Sequence, residues 1–71
     1  MTINDIMQQM TIDGPIIIRN TDPDGNGYTM NDSYEYIEAV PQERRNIEIA
    51  YIYPVLENMP YICFELRTSE D

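Results

Sequence analysis

Hydrophobic positions recur in two rhythms along this chain, and the change from one to the other separates a helical opening from a strand-rich remainder. Ile3, Ile6, Met7 and Met10 stand at i, i+3, i+4 and i+7, the spacing that lines one face of an α-helix. Thr2 is a favourable N-cap for that helix. Asp5, three residues later, resembles the reciprocal half of a capping pair and brings negative charge to the positive helix end. Asp13-Gly14 stops it.

The next rhythm is that of strands. Residues 15–19 contain three successive isoleucines, a β-branched run too short for a helix and bounded by turn formers, which predicts a strand at a sheet centre or buried on both faces. The run Asp22-Pro23-Asp24-Gly25-Asn26-Gly27 is the strongest turn signal in the chain. Residues 28–37 return as a second strand with Tyr28, Met30, Tyr34 and Tyr36 on one face, and the polar Asn31-Asp32-Ser33 predicts a bulge or bend within it.

Residues 40–46 read as a connector holding a helical turn begun by Pro41. From Asn46 the alternation is clean: Ile47, Ile49, Tyr51 and Tyr53 on one face, Glu48, Ala50 and Ile52 on the other, with Pro54 ending the strand. Residues 54–60 then make a hairpin loop. A last strand, 61–67, points Ile62, Phe64 and Leu66 inward and Tyr61, Cys63, Glu65 and Arg67 to the opposite face. The fold expected is α+β: a short N-terminal helix packed on a mostly antiparallel sheet of about four strands, one small domain over residues 1–71 with a frayed acidic tail at 68–71.

Composition excludes several classes. A hydrophobic fraction of 42% is too high for a disordered acidic tail, so the chain folds. Thirteen carboxylates against four arginines, with no lysine and no histidine, give a formal charge of −9, which argues against direct contact with a nucleic-acid backbone. One cysteine allows no internal disulfide, and without histidine a structural zinc site lacks ligands. No basic leader precedes an apolar run and no segment is long and apolar enough for a membrane span, so a cytoplasmic protein is the expectation. The usual general bases and amine nucleophiles are missing, and Cys63 has no base to hold it as a thiolate, so the chain reads as a non-enzyme without a cofactor.

Two features invite functional readings. The run from Asp22 to Thr29 matches the first eight positions of an EF-hand loop, with Asp22, Asp24 and Asn26 as candidate calcium ligands. Position 12 is Ser33 and position 9 is Met30, and the preceding segment is strand-like, so a hairpin turn explains the run as well. The second is arranged negativity. Asp22, Asp24, Asp32, Glu35 and Glu38, with Tyr34 and Tyr36 as aromatic anchors, are the candidate partner-binding residues. Carboxylates two apart on a strand share a face at roughly 6.6 to 7 Å, a separation of the order of that between successive phosphates of a nucleic-acid strand. Such a surface competes for a basic groove. A homodimeric structural or assembly domain, with Arg44 and Arg45 pairing to acids of a second copy, is the alternative.

The segment Thr2-Ile3-Asn4-Asp5-Ile6, followed by a helical stretch, strands and an acidic total, resembles small proteins of phages and mobile elements in Gram-positive bacteria. In particular it looks like the small acidic type II-A anti-CRISPR inhibitors. The match covers about ten residues at the N-terminus, and the chain departs from that family in having no helical region after the last strand. What the resemblance implies is an inhibitor acting by DNA mimicry on a basic nucleic-acid-binding protein such as a Cas nuclease, in the cytoplasm of a bacterial host, needing no cofactor.

Overall fold

The computed structural model describes residues 1–21 and 28–67. The turn at 22–27, with Asp22, Asp24 and Asn26, and the tail at 68–71 lie outside the described residues. The order of elements is α1 (Ile3–Gln9), β1 (Ile16–Thr21), β2 (Tyr28–Tyr34), a single 3-10 turn (Ile37–Ala39), α2 (Gln42–Arg45), β3 (Ile49–Glu57) and β4 (Met59–Leu66). The strands form one sheet in the order β2-β1-β4-β3. The hairpin pairs are antiparallel, while β1 and β4 run parallel at the centre, Ile16 facing Ile62 through Asn20 facing Leu66. The fold is therefore α+β with a mixed sheet.

The helix begins as its sequence requires. The Thr2 hydroxyl accepts from the Asp5 backbone N–H at 3.3 Å, and the Asp5 carboxylate accepts from the Thr2 N–H at 2.9 Å, a reciprocal capping box. The extended residues before it are pinned to the start of β3: the Ile49 N–H donates to the Met1 carbonyl at 2.9 Å, Thr2 bridges Glu48, and the terminal ammonium pairs with the Glu48 carboxylate. Ile3 and Ile6 thereby fall on the sheet and bury with Ile16, Ile18, Ile37, Val40, Phe64 and Leu66 in one cluster. Each such side chain contributes roughly 1.5–3 kcal/mol by leaving water. The helix ends at Gln9, well before Gly14, so Met10 is left exposed rather than joining the apolar stripe.

Three strand details differ from the sequence-based expectation. Residues Asn31, Asp32 and Ser33 pair in unbroken register with Arg19, Ile18 and Ile17, and the irregularities fall instead between Asn20 and Thr21 and between Ile49 and Tyr51. No bulge is needed at the polar triplet because both faces offer it a cation: Asn31 accepts from the Arg19 Nε at 2.7 Å, and Asp32 from the Arg44 Nη1 at 2.6 Å. Pro54 does not end β3, which continues to Glu57, because an outer strand tolerates a missing N–H. The turn to β4 is a tight one at Asn58, whose φ of 69° suits asparagine. The bulge near Ala50 puts Ile49 and Ile52 on the core face, opposite Leu66 and Phe64, while Tyr51 and Tyr53 oppose Glu65 and Cys63 on the other. Tyr36 leaves the strand altogether and precedes the 3-10 turn, which carries Ile37 into the core.

The second face of the sheet is buried at its centre without a helix on it among the described residues. Ile17 and Cys63 are all but inaccessible, and Arg19 and Glu65 are 8% and 9% exposed. Side chains from the outer strands cover them. The Arg19 Nη1 donates to the Tyr53 hydroxyl at 3.4 Å, that hydroxyl donates to the Glu65 Oε1 at 2.7 Å, and the Arg19 Nη2 lies 3.6 Å from the Glu57 carboxylate. Tyr53 and Glu57 are four positions apart, about 13 Å along a straight strand, and their side chains converge over this face on one guanidinium. Cys63 is a packing residue here, its thiol pushed up by burial.

Two outcomes test this description. Thr2→Ala should cost about 1 kcal/mol in urea unfolding. The Thr2 backbone N–H, aided by its hydroxyl, holds the Asp5 carboxyl below its usual range. The benefit of that half of the box is present above the ordinary aspartate pKa and disappears as pH falls through the lowered folded value, so Asp5→Ala, which removes the carboxylate, should approach the parent's stability there. Arg19→Ala strands the buried Glu65 and should cost about 3–5 kcal/mol, with Arg19→Met/Glu65→Leu recovering most of the loss.

Candidate functional site

The candidate residues around Asp32 do not gather on one face. Asp32 and Tyr34, two apart on β2, point to the same side and are both claimed from within the chain. Arg44 of α2 donates through Nη1 to the Asp32 Oδ2 at 2.6 Å and to the Tyr34 hydroxyl at 2.7 Å. The Asp32 hydrogen bond, with the nearby Tyr34 hydroxyl, raises the Arg44 pKa above its ordinary value. Arg45 turns the other way, donating from Nε to the Val40 carbonyl at 2.9 Å and from Nη2 to the Glu38 carbonyl at 2.7 Å, which closes the 3-10 turn. Arg44 and Arg45 are thus engaged inside the chain, where the sequence reading offered them to a second copy.

Glu35 lies at the end of β2 and faces a different surface. With Pro15, Ser33, Tyr34, Met59 and Tyr61 it lines an open groove of about 540 Å³. The groove exists because three strands reach the same end of the sheet there: the Ile62 N–H donates to the Pro15 carbonyl, and Ile16 faces both Tyr34 and Ile62. Met59 and Tyr61 at the start of β4 form one wall and the β2 end the other. Tyr36, 56% exposed, and Glu38 stand outside it on the connector.

Of the residues named from sequence, Tyr34 and Glu35 therefore share a site, Asp32 belongs to a structural latch, and Tyr36 and Glu38 are exposed beside it. Pro15, Ser33, Met59 and Tyr61 were missed as site residues. Their separation along the chain hides them, since only the parallel β1–β4 pairing brings 15 next to 61. The buried Arg19–Glu65 pair was missed too, although a signal existed: each central strand carries one charge amid apolar residues, and the two signs are opposite.

Among the described residues no group of three carboxylate or thiol side chains is placed to hold a metal ion, and no helix is long and apolar enough to cross a membrane. No protein-family model, curated protein or solved structure matches the chain.

The Asp32–Arg44 latch is partly open to solvent, with side chains 48% and 27% exposed. A double-mutant cycle of Asp32→Asn and Arg44→Ala should give a coupling of up to about 1 kcal/mol, shrinking as salt is added. Additive effects would mean that α2 is held without it.

Proposed function

We propose that this chain is a non-enzymatic, acidic protein–protein interaction module that mimics nucleic acid and occupies a basic groove of a nucleic-acid-binding protein. One observation carries the reading: three of the four arginines are spent inside the chain. Arg19 is buried against Glu65, Arg44 holds Asp32, and Arg45 holds backbone carbonyls. Exposed carboxylates at Asp5, Asp13, Glu35, Glu38 and Glu43 are none of the acids that these arginines hold, and they present a negative outer field. A field of one sign raises the rate of encounter with an opposite surface and falls with ionic strength.

The likeness of the first ten residues to type II-A anti-CRISPR inhibitors supports a phage or mobile-element origin, a bacterial cytoplasmic setting and a Cas nuclease as a partner of this kind. A homodimeric assembly domain is the second reading. It is favoured by the outer strand β3, where Ile52 and Leu56 are 50% and 80% exposed and Glu57 is the sole acid. Light scattering at two concentrations separates the two, a strict monomer removing the dimer.

The immobilised chain should retain nucleic-acid-binding proteins from a bacterial lysate at low salt, release them at high salt, and compete with DNA for them. Glu35→Gln/Glu38→Gln should weaken this binding and flatten its salt dependence while thermal unfolding stays unchanged. Full retention by that variant, with its fold intact, rejects this surface as the contact.

A further inference from the structure

We infer that the groove between the end of β2 and the start of β4 is a receptor for an arginine side chain of the partner. The inference rests on the proposed basic partner and names how one of its cations is held. The groove's volume of about 540 Å³ lies in the range of sites that enclose small ligands, and its walls are of two kinds. Pro15, Met59 and the Tyr61 ring supply apolar and aromatic surface. Glu35 and Ser33 supply oxygens on the facing wall.

That combination selects among ligands. An anion would meet Glu35 and the field of a chain carrying −9. A neutral apolar group would take Glu35 and Ser33 out of water without a partner, which is costly. A bare divalent cation needs several oxygens, and the groove has one carboxylate. A guanidinium on a methylene stem satisfies every wall: the stem lies along Met59 and Pro15, the planar cation stacks on the Tyr61 ring, and its N–H fork donates to the Glu35 carboxylate. Tyr34 adds a rigid edge, because its hydroxyl is already fixed by Arg44. In this groove the Glu35 carboxylate is backed by shape.

The experiment titrates N-acetyl-arginine amide into the full ¹⁵N-labelled chain and follows backbone amides. The neutral citrulline analogue and the lysine analogue are run in parallel. Saturable shifts centred on Ser33, Glu35 and Tyr61 are expected with arginine. Glu35→Gln should weaken the interaction about tenfold, the loss of one charge-assisted hydrogen bond, and Asp13→Asn should leave it unchanged. Tyr61→Leu should weaken it while keeping apolar bulk.

Equal shifts from citrulline, shifts spread evenly over Asp5, Asp13 and Glu43, or full binding by Glu35→Gln each overturn the site. A lysine analogue that binds as tightly as arginine overturns the guanidinium assignment. Competition with DNA for the captured proteins is read separately. Competition without the arginine response sinks this inference and leaves the decoy reading standing; the arginine response without competition does the reverse.

Discussion

The parallel pairing of β1 with β4 is the constraint on which the remaining structure depends. It joins residues 16–20 to 62–66 across nearly the whole chain, and the two hairpins β1–β2 and β3–β4 are otherwise local units that a single turn can close. Both faces of the fold are composed at this one seam. On the helix side it sets Ile16, Ile18, Phe64 and Leu66 side by side for Ile3 and Ile6 to cover. On the other it sets Ile17 beside Cys63 and Arg19 beside Glu65. A slip of one residue would exchange the two sets, driving Arg19 and Glu65 under the helix and the isoleucines to the polar face. Register is therefore held by electrostatics and hydrophobicity together.

A seven-residue helix covers little of a four-stranded sheet, and the structure meets that shortage in two ways. Residues before the helix attach to β3, so that Met1 and Thr2 extend the hydrogen-bonded framework beyond the sheet. Side chains of β3, Tyr53 and Glu57, roof the centre of the second face. The first device gives Thr2 two duties, as helix cap and as bridge to Glu48. The second explains how a charged pair comes to be buried in a chain of 71 residues: the roof is itself polar, and every group under it finds a partner in the roof.

Legibility in the sequence follows the range of the interactions. The helix, its cap, the isoleucine strand and the inward Phe64 and Leu66 of β4 are written in neighbouring residues and could be read from them. Ile62, read as inward with them, is instead 37% exposed, and Cys63 and Glu65 on the other face are buried. What could not be read arises from pairing at a distance. The parallel seam, the bulge at Ala50 that re-sorts Ile49, Tyr51 and Ile52, and the continuation of β3 through Pro54 all depend on which strand lies alongside. The site shows the same division. Tyr34 and Glu35 were visible as a local aromatic and acidic pair, whereas the opposite wall of the groove, Met59 and Tyr61, enters through the seam. The tie of Asp32 to Arg44 was not legible, because Arg44 approaches from a helical turn that sequence alone leaves unplaced.

The distribution of arginine then connects architecture to electrostatics. A domain this small needs fixed points between its layers, and planar guanidinium groups provide them: Arg19 ties β2 to the hairpin, Arg44 ties α2 to β2, and Arg45 closes the turn that delivers Ile37 and Val40 to the core. Lysine, a single point charge on a mobile stem, would make such multidentate ties poorly, and the chain contains none. The same choice has an outward consequence. Arg19 and Arg44 spend their charge on the carboxylates they hold, Glu57 and Asp32, and Arg45 on backbone carbonyls, so the tie points that make the fold leave the other exposed carboxylates without these three cations. Structure and acidity are in this sense one feature, and the place where the acidic surface acquires shape is the groove between the start of β4 and Glu35.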